Sequence, residues 1–63
     1  MRLADLLFVM DIDTKVNISV KNVEIFDGAL KELNERPFDR IIFELKVKAI
    51  WYSTIYNRIM IEL

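Results

Sequence analysis

Two carboxylates one residue apart, Asp11 and Asp13 around Ile12, are the nearest approach in this chain to a metal-binding motif. Side chains so spaced can reach one hard cation from a turn. A calcium loop would continue with an acidic or amide side chain, a glycine and a closing glutamate, whereas Lys15 and Val16 occupy the next positions here. The pair is therefore expected to serve turn chemistry. Histidine and cysteine are absent altogether, which removes zinc and the side chains most used for acid–base and nucleophilic work near neutral pH. Asp39, Glu44 and Glu62 remain as acid–base carboxylates, but ten acidic residues on so small a surface produce neighbours by chance. Asp27-Gly28 lacks the spacing of a phosphate loop and marks a turn. The expectation is a protein that is not an enzyme, with no catalytic residue, metal or cofactor.

Lys46 and Lys48 beside Trp51 and Tyr52 repeat the basic and aromatic interleaving of single-strand nucleic-acid platforms, and Lys15 and Lys21 add to the basic count. Against that, basic and acidic residues are interspersed at 9 and 10, for a net charge of −1. Nucleic acid is not the expected partner. Nor is charge mimicry of DNA.

A chain of 63 residues is a single domain, residues 1–63, with a core worth only ~3–5 kcal/mol of net stability. Disulfides and zinc cannot add to it. Hydrophobic residues make up 54% of the chain, more than such a core absorbs, which points to a homodimer or an obligate partner. The apolar run from Leu6 to Met10 is far too short for a membrane span. Asp5 interrupts the start of any signal peptide, so a cytoplasmic protein is expected.

The positioning elements follow from periodicity. Leu3, Leu6, Leu7 and Met10 keep the i, i+3, i+4, i+7 spacing of a helix over about residues 2–10. Lys15 to Lys21 alternates strictly, with Val16, Ile18 and Val20 on one face. A two-residue turn at Lys21-Asn22 then sets Val20 against Val23 and Ile18 against Ile25. Phe26, Leu30 and Leu33 are helically spaced, with Asn34 and Pro37 as a stop. Phe38, Ile41, Ile42 and Leu45 repeat the spacing, with Pro37 in a first turn. A third strand is expected from near Leu45. The architecture is α+β: an N-terminal helix, a β-hairpin, a short helical connection and a second β-hairpin, in a mainly antiparallel four-stranded sheet with one covered face.

The second hairpin poses a parity problem, because both faces of its first strand are partly apolar. A two- or four-residue loop sets Ile50 and Tyr52 on the face of Ile59, Ile61 and Leu63, and turns Lys46 and Lys48 inward at a desolvation cost. A three-residue loop of Ile55, Tyr56 and Asn57, with Asn57 left-handed, avoids this. Val47, Ala49 and Trp51 then join the core face, and Tyr52 lies across from Met60. Ile50, Tyr52 and Met60, rimmed by Lys48, Arg58 and Glu62, form an outward apolar cluster with the composition of an interface core.

The pattern resembles small bacteriophage- and prophage-encoded proteins of unknown activity. The matching positions are Leu3, Leu6, Leu7, Val9, Asp11, Asp13-Thr14-Lys15-Val16 and Ile18, then Val23, Ile25-Phe26-Asp27-Gly28, Val47-Lys48, Ile50 and Ile59 to Leu63. They cover most of the chain and consist of core and turn positions. Proteins of this size in mobile elements often bind a host protein, anti-CRISPR and other anti-defence inhibitors among them. The resemblance thus implies a stoichiometric inhibitor of a bacterial defence nuclease in the host cytoplasm, acting by occlusion or allostery. The alternatives are a homodimeric accessory protein or a weak nucleic-acid binder.

Overall fold

A computed structural model describes residues 1–33, 35 and 40–63. Asn34, Arg36, Pro37, Phe38 and Asp39, and with them the expected helix stop, the first-turn proline and one candidate carboxylate, lie outside the described residues. The elements run α1 (Leu3–Phe8), β1 (Lys15–Val20), β2 (Val23–Ala29), α2 (Leu30–Leu33), a 3-10 helix (Arg40–Glu44), β3 (Ala49–Ser53) and β4 (Arg58–Glu62). The four strands form one sheet in the order β2-β1-β4-β3. Both hairpins are antiparallel, and the two are joined through a parallel pairing of β1 with β4. The expected small α+β architecture is present, with one parallel pair at its centre.

Helix α1 is shorter than its apolar spacing predicts. Its last turn tightens, with the Val9 and Met10 amides donating to the Leu6 and Leu7 carbonyls at 3.2 and 3.3 Å. At its start the Arg2 amide donates to Asp5 Oδ2 at 3.2 Å, which meets one of the donors a helix start leaves open. Asp11 then makes the turn: its Oδ1 accepts the Asp13 amide at 2.9 Å and its carbonyl accepts the Thr14 amide at 3.0 Å.

The first hairpin closes at Lys21 and Asn22, both at positive φ (50° and 67°), as a tight two-residue loop requires. Val20 faces Val23 as expected, but Ile18 faces Phe26 and not Ile25, because an irregularity after Ile18 leaves an extra residue in β2. The bulge brings Phe26 into the core, where it is 1% exposed. Phe26 is thus strand rather than the start of a helix, and Asp27-Gly28 lies inside β2 rather than in a turn.

Gly28 has a local reason. Its φ is 153°, and a Cβ there would overlap Glu32 Oε2. That carboxylate accepts the Ala29 amide at 3.1 Å, while the Leu30 and Lys31 amides donate to the Thr14 and Ile12 carbonyls at 3.0 and 2.9 Å. The donors at the start of α2 are therefore met by the turn after α1, and only glycine leaves room for the arrangement.

The core lies between the sheet and the helices. Leu3, Val16, Ile18, Phe26, Leu30, Leu33, Ile61 and Leu63 are buried. Leu6, Leu7, Met10, Ile42 and Phe43 pack against them from the helical layer. Segment 1–3 is tied to 45–47 by the Leu3 amide on the Leu45 carbonyl (2.9 Å) and the Val47 amide on the Met1 carbonyl (2.8 Å).

The second hairpin departs from its expected register. Ile50 faces Ile61, Trp51 faces Met60, Tyr52 faces Ile59 and Ser53 faces Arg58. The loop is thus four residues, Thr54 to Asn57, with Asn57 left-handed at φ 53° as expected. The Tyr52 hydroxyl donates to Asn57 Oδ1, and Ser53 Oγ accepts the Tyr56 amide at 3.2 Å. The desolvation cost that disfavoured this register does not arise, because β3 begins at Ala49 rather than near Leu45 and leaves Lys46 and Lys48 exposed beyond its end.

Candidate functional site

Residues directly opposite in a sheet share a face, so the pairings assign every strand side chain. On the helix side one row reads Phe26, Ile18, Ile61, Ile50 across the four strands, and the next reads Gly28, Val16, Ile59, Tyr52. On the open side the central row is Asp27, Asn17, Met60, Trp51. Trp51 is therefore on the uncovered face, contrary to its expected place in the core.

A polar network occupies the β2 half of that open face. Asn17, though 8% exposed, donates through Nδ2 to Glu24 Oε1 (2.7 Å) and to Asp27 Oδ2 (3.1 Å). Asp27 Oδ1 pairs with the Arg58 guanidinium, whose Nε also donates to the Tyr56 carbonyl at 2.9 Å. With Met60 these residues line a concavity of about 270 Å³. Its polar groups are matched to one another and clasp β1, β2 and β4 together.

The β3 half is different in kind. Ile50, Trp51 and Tyr52 are 48%, 49% and 56% exposed, and in the following loop Ile55 and Tyr56 reach 86% and 62%. Even the core-facing side chains of β3, Ile50 and Tyr52, remain half in water. No charged residue lies between Ala49 and Asn57, and as an outer strand β3 offers unpaired backbone groups beside these side chains.

The expected binding residues are only partly brought together. Ile50 and Tyr52 project on the helix side. Met60, half-buried, projects on the open side, with Arg58 and Glu62 in neighbouring rows. Lys48 is exposed just before β3. Met60 lies across from Trp51, not Tyr52. Missing from the expected set were Trp51, Ile55 and Tyr56; the signal was the charge-free stretch through the loop.

Lys21, Lys46 and Lys48 border a groove of about 460 Å³ floored by Val20, Leu45, Val47 and Leu63, while Lys15 lies on the open face. The nucleic-acid pattern is thereby split, since Trp51 shares a face with Lys15 and Arg58 but also with Glu24, Asp27 and Glu62. Among the described strand residues, acids outnumber bases on the face that carries Trp51.

Arg2 contacts Asp5 at 3.3 Å and Glu44 at 2.8 Å, linking α1 to the 3-10 helix. The hydrogen bond from Arg2 holds the Asp5 carboxyl below its ordinary range, and the same contact, with that to Glu44, raises Arg2. Asp13 pairs with Lys31 at 3.2 Å. Among the described residues no group of three acidic side chains gathers to hold a metal ion, and no helix is long and apolar enough to cross a membrane. Comparison of the chain with protein-family models, curated proteins and solved structures finds no match.

Proposed function

We propose that this protein is a non-catalytic binding module that acts by stoichiometric occupation of a protein partner through its second hairpin. One observation carries the proposal: the exposed aliphatic and aromatic residues Ile50, Trp51, Tyr52, Ile55 and Tyr56 are gathered on one hairpin whose outer strand has no charge. Aromatic anchors on such a surface supply most of an interface's binding energy. Lys48, Arg58 and Glu62 serve as its polar rim, and Met60 supports Trp51 from the neighbouring strand.

The resemblance to small phage proteins narrows the partner to a host protein, and the specific proposal is inhibition of a bacterial defence nuclease in the cytoplasm. The net charge of −1 favours occlusion or an allosteric contact over imitation of DNA. In a titration against purified defence nucleases, cleavage should stop at molar parity for the target enzyme. Tyr52→Asp should weaken that inhibition about 30-fold, the equivalent of about 2 kcal/mol at an interface anchor. Undiminished cleavage by every nuclease at large excess would remove the nuclease as partner, and inhibition insensitive to Tyr52→Asp and Trp51→Lys would remove the hairpin as the surface.

A further inference from the structure

Resting on the reading of the second hairpin as the binding surface, we propose that its first partner is a second copy of this chain, paired antiparallel through β3 about a two-fold axis at Trp51. Three features lead there. The strand Ala49–Ser53 is compatible with its own reverse: with Trp51 on the axis, Ile50 faces Tyr52 of the second copy and Ala49 faces Ser53. One residue past the strand Lys48 faces Thr54, so no like charges meet, and the pairing ends there because the Val47 amide is already bonded to the Met1 carbonyl.

The pleat is also respected. Opposed residues share a face, so Ile50 and Tyr52 of both copies meet on the helix side, where each is otherwise half exposed. The two tryptophans meet on the open side. Pairing shifted by one residue would set Ile50 against Trp51 and turn the helical layers to opposite faces.

Closure is the third feature. Joining at β3 gives an eight-stranded sheet whose remaining edges are both β2. Those edges carry the bulge after Ile18 and the acids Glu24 and Asp27, which are the devices that block further strand addition. The assembly stops at two, as a two-fold contact should. Fully covered aromatic residues bury ~150–250 Å² each, so Trp51 and Tyr52 at half exposure, with Ile50, Ile55 and the strand backbone, contribute at most roughly 500–600 Å² per copy. That is the lower end of specific interfaces and predicts a reversible dimer. Because one strand cannot pair twice, a foreign partner on β3 would separate it.

Sedimentation velocity from low micromolar to near-millimolar concentration should show the mass rising from 7.5 kDa towards its double. The single tryptophan, lying on the axis, should shift its emission to the blue over the same range. Trp51→Lys, which opposes two ammonium groups at the axis, should leave a folded monomer at every concentration. In this cysteine-free chain, an oxidised mixture of Ala49→Cys and Ser53→Cys proteins should give disulfide-linked dimers, and neither variant alone should do so. A wild-type chain monomeric throughout, a dimer indifferent to Trp51→Lys, or cross-linking of either cysteine variant to itself overturns the proposal. If a monomeric wild type still inhibits a nuclease through Tyr52, self-pairing falls and the binding module stands. If the predicted dimer forms and no nuclease is inhibited, self-pairing stands and the nuclease falls.

Discussion

The sheet has two outer strands that solve the same problem in opposite ways. β2 is anchored inward by Phe26, bent by its bulge, held across the open face by the Asn17, Glu24, Asp27 and Arg58 network, and continued directly into α2. β3 has none of this: its side chains are half exposed on both faces and its attachments run to β4. The contrast shows where 63 residues concentrate their stabilising contacts. One edge is built into the core, and the other is left available.

The sharpest way to break that comparison is to remove one large side chain from each edge. Phe26→Ala should cost about 3–5 kcal/mol, enough to unfold so small a domain, whereas Tyr52→Ala should change monomer stability by less than about 1 kcal/mol in urea denaturation at low concentration. Equal losses would mean that β3 is as structural as β2. Next in size is Gly28→Ala, expected to destabilise by about 1–3 kcal/mol through backbone strain and collision with Glu32. Part of that loss should disappear in a Glu32→Ala background, so a double-mutant cycle that is strictly additive would refute the collision.

Asn17→Ala removes the donor between two carboxylates and should cost about 1–2 kcal/mol; hydrogen exchange should then quicken in β2 while β3 stays unchanged. The smallest effect concerns neither edge and serves as a baseline. Because the Asp5 carboxyl is held below its ordinary value in the folded protein, its contribution is fully present above the ordinary carboxylate range and is lost as pH falls through the depressed value. The pair is exposed, so Asp5→Asn should only slightly flatten the acid limb of a stability–pH curve. A steep change would show that Arg2 and Asp5 do more than join α1 to its neighbours.

What was legible in the sequence follows the same division. In β1, alternation separates apolar from polar residues because one face is dry and the other wet, and Val16, Ile18 and the Lys21-Asn22 turn were readable from it. In β3 both faces are apolar, so alternation carries no sign, and parity passed to a loop whose length is set by Tyr52, Ser53 and Tyr56 contacts that composition does not reveal. The ambiguity that misplaced Trp51 is the property on which the proposed binding edge rests. Asp27-Gly28 read as a turn because glycine more often serves a turn than the carboxylate of Glu32. The bulge and the pairing of β1 with β4 were hidden for another reason: a bulge needs a partner strand to be defined, and pairing between distant strands leaves no local periodicity.

That parallel pairing bears on how the chain comes to be folded at all. Val16 and Ile59 lie side by side although most of the chain separates them, so the sheet has no complete centre until β4 has been made. The first hairpin can align Val16, Ile18 and Phe26 by itself, but β1 stays open along its inner flank until β4 pairs with it, and closing so long a loop is slow compared with forming a hairpin. A chain caught at that stage has a second exposed edge, at β1, besides the one the folded protein keeps at β3.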